Sequence, residues 1–247
     1  MKIIKTFLTA SLFYAITLIM PAQADVREVF VCHYLDGHNM SDVMSARDFY
    51  LKQAKKAGIE PPMSFVWTPY RADTDIDVIW FSNYESMDAF AAQADVAMAS
   101  PEMIAVQARF DSVVKCTSSL GMRELIYEGD EPAVADPPAI ISSNACKLNH
   151  AAENADMGDL WGHVQDTLTG IDAYKQSIAY AFTPIITSPT SPDLYLYEVS
   201  DNVTSWAAKR AAFASSDASA SLGRHFQKIM DCTNTLWIGE RVIPIAE

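Results

Sequence analysis

The chain repeats itself at an offset of about 115 residues, and each copy carries one matched pair of cysteines. Cys32 recurs as Cys146, Thr68-Pro69 as Thr183-Pro184, Asp77 as Asp193, and Cys116-Thr117 as Cys232-Thr233. The separations are 114, 115, 116 and 116, so the duplication has almost no net insertion. A chain built this way folds as one unit made twice. The expected division is a first repeat over 25–127, an acidic, proline-containing linker over 128–139, and a second repeat over 140–247.

Each copy shows the same order of elements. In the first, Glu28 to Tyr34 reads as a strand and about Ser41 to Ala57 as a helix, capped by Ser41 or Asn39 and stopped by Gly58 with Pro61-Pro62. Met63 to Tyr70 and Ile76 to Tyr84 read as strands. A helical stretch from Ser86 is broken and restarted at Ser100-Pro101 and ends near Lys115; a strand follows from about Ser119 to Tyr127. The second copy gives strands over Asn144–Asn149, Ile178–Ile186, Leu194–Val199 and Thr235–Ile243. Its helices are Asp156–Thr169, Val203–Ala214 and Ala218–Asp231.

The order βαββαβ forms an antiparallel sheet with helices on one face. Strand one lies between strands three and four, so its end sits beside the start of strand four. Four cysteines allow three pairings. Topology and repeat together select Cys32–Cys116 and Cys146–Cys232 as structural disulfides. Each would close a loop of roughly 85 residues, worth about 4 kcal/mol in the chain-entropy model.

The third strands sharpen the picture. Asp77-Val78-Ile79-Trp80-Phe81 and Asp193-Leu194-Tyr195-Leu196-Tyr197 are nearly continuous apolar runs. A strand with one face in water alternates polar and apolar residues; a continuous run implies two covered faces. Helices cover one face, and the other meets the sister sheet.

This pattern resembles the dimeric α+β barrel superfamily, in which two ferredoxin-like units pack sheet to sheet, as a dimer or within one chain. The likeness covers about 26–126 and 140–243. The start Cys32, Tyr34, Asp36, Gly37 and the second-strand Trp67-Thr68-Pro69 also resemble exported bacterial proteins of unassigned activity. The fold class expected is therefore α+β, with two βαββαβ units forming one intrachain barrel. The superfamily resemblance implies a cavity between the sheets and includes cofactor-free monooxygenases and haem-binding or haem-degrading enzymes.

Composition narrows the setting. Lys2 and Lys5, an uncharged apolar run over Thr6–Met20 and Pro21-Ala22-Gln23-Ala24 read as a signal peptide cleaved after Ala24, with a membrane anchor as the rival reading. The expected location is the periplasm or the extracellular space, where disulfides persist. Cleavage would take the net charge from −13 to −15, a surface that repels nucleic acid and anionic membranes. After cleavage a soluble monomer or weak homo-oligomer is expected.

Among residues able to carry chemistry, His33 and its counterpart Lys147 adjoin the disulfide cysteines and point to the opposite face, toward either the barrel cavity or the open strand end. Trp67, Trp80, Phe182 and Tyr195 are aromatic strand positions that pack a core or line a pocket. Tyr70-Arg71 ends the second strand and could hold an anion. His38, His150, His163 and His225 are weaker candidates on loops and helices. No G-x-S-x-G elbow, phosphate loop, dinucleotide fingerprint, H-E-x-x-H or calcium loop occurs. With all four cysteines paired, no thiolate is left for catalysis or zinc. No metal and no cofactor are expected.

These features point first to a protein that binds a small apolar or aromatic ligand between its sheets. The alternatives are a cofactor-free monooxygenase or a haem-binding enzyme, and a non-catalytic structural or interaction module with a filled core.

Overall fold

The computed structural model describes residues 25–71, 74–131, 138–149, 157–186 and 191–244. The expected signal peptide, half of the expected linker and His150 lie outside them. The first half runs β1 (Asp25–Tyr34), α1 (Met40–Ala57), β2 (Met63–Arg71), β3 (Val78–Tyr84), α2 (Met87–Ala99), α3 (Pro101–Asp111) and β4 (Val114–Glu128). The second half runs β5 (Ala139–Leu148), α4 (Met157–Thr169), a 3-10 turn (Asp172–Tyr174), β6 (Ile178–Ile186), β7 (Leu194–Ser200), α5 (Val203–Ala214), α6 (Asp217–Ile229) and β8 (Met230–Ile243).

Local chemistry sets the helix ends. Asn39, in extended backbone, accepts the Ser41 amide at 2.9 Å, while Asp42 accepts the Asn39 amide at 3.1 Å. Two of the first-turn donors are satisfied this way. Gly58 closes α1 at φ 69°, a left-handed cap that costs glycine little. Ser86, Ser100 and Asn202 each cap a helix by accepting a backbone amide. Asn202-Val203-Thr204 is therefore a helix start.

Each half forms a four-stranded antiparallel ladder, β4-β1-β3-β2 and β8-β5-β7-β6. Pairing of β2 with β8 and of β4 with β6 joins them into one closed barrel of eight strands. Closure leaves no sheet edge open. Cys32 lies directly opposite Cys116, and Cys146 opposite Cys232, and both pairs are disulfides. β4 and β8 begin about five residues earlier than expected, because their polar first turns stay in register with β1 and β5 through the cysteine pairs. β5 also starts earlier, at Ala139.

β3 is buried from Val78 to Asn83, and its two faces serve different cores. Ile79 and Phe81 enter the barrel with Val29, Trp67, Phe182, Tyr197 and Trp237. Val78 and Trp80 face the helices with Cys32, Val43, Val66 and Val114. Gly239 leaves room for this barrel packing: a Cβ there would meet Ile141 Cγ1 at 2.9 Å and Trp67 Cδ1 at 3.3 Å. Among the described residues, no helix is long and apolar enough to cross a membrane.

Candidate functional site

The two halves differ in what lies between sheet and helices. In the first half, α1, α2 and α3 stand over β1 and β3 and leave a cavity of about 530 Å³. Tyr50, Trp80, Tyr84, Phe90 and Phe110 line it, and the Cys32–Cys116 disulfide also borders it. α2 is rich in alanine yet buries none of its residues. It covers the cavity without filling it.

Two carboxylates border this space, the exposed Asp111 on α3 and the half-buried Glu28 on β1. Glu28 projects from β1 on the helix side, and the Tyr84 hydroxyl donates to its Oε2 at 3.3 Å. Loss of water raises the Glu28 pKa, and the Tyr84 bond partly opposes that rise. Burial, then the nearby Glu28 charge, pushes the Tyr50 phenol up to about 12. The same two causes raise Tyr84 further. Both phenols are thus neutral hydrogen-bonding groups at physiological pH.

The second half uses the same positions to close the space. Glu28 lies opposite Ser82 in the β1–β3 ladder; Ser142 lies opposite Glu198 in the β5–β7 ladder. The carboxylate has changed strands. Glu198 meets a buried ammonium, Lys209 Nζ, at 3.3 Å. Lys209 also donates to Ser177 Oγ at 3.0 Å, Val199 O at 3.0 Å and Ser200 Oγ at 3.2 Å. Around this network pack Tyr174, Leu160, Leu222 and Ile229. Lys209 is the one buried residue of α5. Its counterpart in α2, 116 residues earlier, is Gln93. Gln93 borders the cavity, and its amide donates to Glu60 O at 2.5 Å.

Between the sheets, where a ligand was expected, aromatic side chains pack against one another. Trp67 sits 4.2 Å from Phe81 and 5.3 Å from Tyr197, ring centre to ring centre, and Phe182 lies 6.0 Å from Tyr195. Of the four aromatic candidates, Trp80 alone lines the helix-side cavity, with its indole donating to Ser82 Oγ at 3.2 Å. His33 and Lys147 lie at the open strand ends. His33 Nδ1 is 2.9 Å from Asp75 O, and Lys147 pairs with Asp193 at 3.4 Å and donates to Ser191 O. Arg71 is exposed and folds over the Tyr70 ring at 4.8 Å. His38 stands 3.5 Å from Asp42, and His163 and His225 face each other at 3.4 Å on α4 and α6.

The sequence reading also missed a charge inside the barrel. Arg27 is buried between the rings of Phe81 and Tyr197, at 5.0 and 5.1 Å, and donates to Asn83 Oδ1 at 2.7 Å. Burial lowers its pKa to about 10, so it stays a cation. Arg123 lies over Tyr180 at 4.5 Å and pairs with Asp25. The repeat alignment carries a signal for both finds: Arg27 stands against Ile141, and the Glu28/Ser82 pair against Ser142/Glu198.

No protein-family model matches the chain, and no curated protein matches it in sequence. Solved structures do match its fold. A candidate monooxygenase from Fusobacterium nucleatum superposes with a TM-score of 0.59 at 10% identity, over 89% of this chain and 93% of that one. A candidate chlorite dismutase gives 0.54 at 13% identity, over 90% and 96%. A mutant chlorite dismutase from Candidatus Nitrospira defluvii gives 0.53 at 7% identity, over 88% and 92%. The fold is that of the dimeric α+β barrels. Identities this low speak for the fold alone.

Haem, the cofactor that the superfamily resemblance brings with it, does not suit the cavity's donors. No imidazole or thiolate and no lysine or arginine lines it, so the two carboxylates of a haem lack cationic partners, and the axial donors left are the phenols and the thioethers of Met98 and Met103. The phenols are held neutral, and Met98 is 71% exposed. Among the described residues, no group of three metal-binding side chains occurs.

Proposed function

We propose that the protein binds a small, largely apolar or aromatic ligand in the cavity between the first half-sheet and its three helices. The observation that carries this is the contrast between matched spaces. The second half fills its helix–sheet interface with Lys209, Glu198 and Tyr174, whereas the first leaves about 530 Å³ behind an aromatic wall. Small-molecule sites are commonly built as apolar concavities with a few converging polar groups. Glu28, Tyr50 and Tyr84 supply those groups. The two disulfides support an exported setting for this binder, since such bonds persist in oxidising compartments.

The test is native mass spectrometry of protein purified from its own compartment, before and after denaturation. A small organic molecule released in stoichiometric amount is the expected result. If the native protein carries none, and no neutral aromatic probe quenches Trp80 fluorescence, the binding reading fails.

Cofactor-free oxygenation is the second reading. Glu28 favours it, because a desolvated carboxylate beside a bound aromatic substrate can accept a proton. Such an enzyme would consume oxygen with a phenolic substrate and lose that activity in Glu28→Gln; no uptake across a broad set of phenols would sink it.

A further inference from the structure

We propose that the ligand of the first-half cavity is an organic cation, a hydrophobic amine whose ammonium group sits beside Glu28. This rests on the binding reading above and names the chemical class it leaves open.

A carboxylate taken out of water is costly unless a cation or several donors meet it. Among the described residues, the Glu28 carboxylate has one hydrogen bond, from a neutral phenol, and no lysine, arginine or histidine lines the cavity. The aromatic rings around it are the other half of a cation site. The faces of Trp, Tyr and Phe attract ammonium groups, most strongly where water is excluded. Trp80, Tyr50, Tyr84, Phe90 and Phe110 supply such surfaces, from two helices besides α1 and from β3.

The second half shows what completes this arrangement. There the carboxylate of the same cross-strand pair meets the Lys209 ammonium, 6.0 Å from the Tyr174 ring centre. The chain thus places its own amine between helix and sheet in one half. In the other it replaces that lysine with Gln93 and keeps the carboxylate, moved one strand across. α2 contains no lysine or arginine at all. A ligand ammonium would occupy the place that Lys209 Nζ holds in the sister half, with its apolar body in the remaining volume.

The test uses two matched probes, 2-(1-naphthyl)ethylamine and 2-(1-naphthyl)ethanol, titrated calorimetrically into the full protein. Salt at about 0.5 M screens the chain's overall negative charge. The amine should bind at least about tenfold more tightly than the alcohol, a difference of about 1.4 kcal/mol. Glu28→Gln should erase that preference and leave the alcohol's affinity in place. Gln93→Lys, which returns an ammonium to the cavity, should weaken the amine at least as much. Equal binding of the two probes, or an amine preference that survives Glu28→Gln, overturns the cation assignment and leaves the cavity as a neutral site. Binding of neither probe overturns the assignment together with the binding reading.

Discussion

The helix-covered faces of the two half-sheets are built from matching positions and hold opposite contents. In the second half, a buried ammonium–carboxylate pair, three further acceptors and the Tyr174 ring fill the interface. In the first, the half-buried Glu28 stands among aromatic rings beside a cavity that the exposed Asp111 also borders, under a helix that buries nothing. Duplication gave both halves the same frame. A change of lysine to glutamine on one helix, with a carboxylate exchanged between neighbouring strands, separates a filled core from one that keeps a cavity.

The largest effect should come from breaking the filled side. Lys209→Met leaves Glu198 buried without its cation and should cost about 3–5 kcal/mol in urea unfolding. The double variant Lys209→Met/Glu198→Gln should recover much of that loss. A single variant as stable as the parent would mean that the pair does not hold the second half together.

Matched truncations read the contrast next. Leu222 on α6 and Val106 on α3 lie 116 residues apart in the repeat, the first in the packed core and the second at the cavity wall. Leu222→Ala should cost about 2–5 kcal/mol, because it opens a hole among close-packed neighbours. Val106→Ala removes fewer atoms from a wall that already lacks partners on one side, and should cost about 1 kcal/mol. Equal losses would argue that the first half is packed as tightly as the second.

The smallest effect is a pH dependence. Burial raises the Glu28 pKa in the folded chain, so the native state holds this proton more tightly than the unfolded one. Its contribution to stability is fully present below about pH 4.3 and is lost as pH rises through the raised native value. Tyr84 from β3, Tyr50 from α1 and Asp111 from α3 share the cavity with it. Glu28→Gln should therefore gain on the parent as pH rises from about 4 toward neutrality. A constant difference between the two would mean that Glu28 is as well solvated folded as unfolded.

The frame was legible because duplication and alternation act on backbone and burial together. The cysteine offsets gave both disulfides, and the unbroken apolar runs at Val78–Phe81 and Leu194–Tyr197 announced two covered faces. The site was less legible. A charged pair such as Arg27-Glu28 at a strand start looks like solvated surface, and the strand was expected to begin at Glu28, whereas it begins at Asp25. In the fold, Arg27 points into the barrel and Glu28 into the cavity. Trp67, Phe182 and Tyr195 are aromatic strand positions, but whether such rings fill a space or line one depends on their volumes against all eight strands. Lys209 is a cation in the sequence of α5, and it is buried because α5 packs onto β7.

Among the described residues, the first half keeps an apolar cavity between sheet and helices where the second is packed. The most direct measurement is amide and indole chemical-shift mapping during titration with 2-(1-naphthyl)ethanol, a neutral probe. The account predicts shifts centred on the Trp80 indole, Ser82, Phe90 and Val106, with Tyr174, Lys209 and Leu222 unmoved. Shifts centred on the second half, or within the barrel at Trp67 and Tyr197, would contradict it.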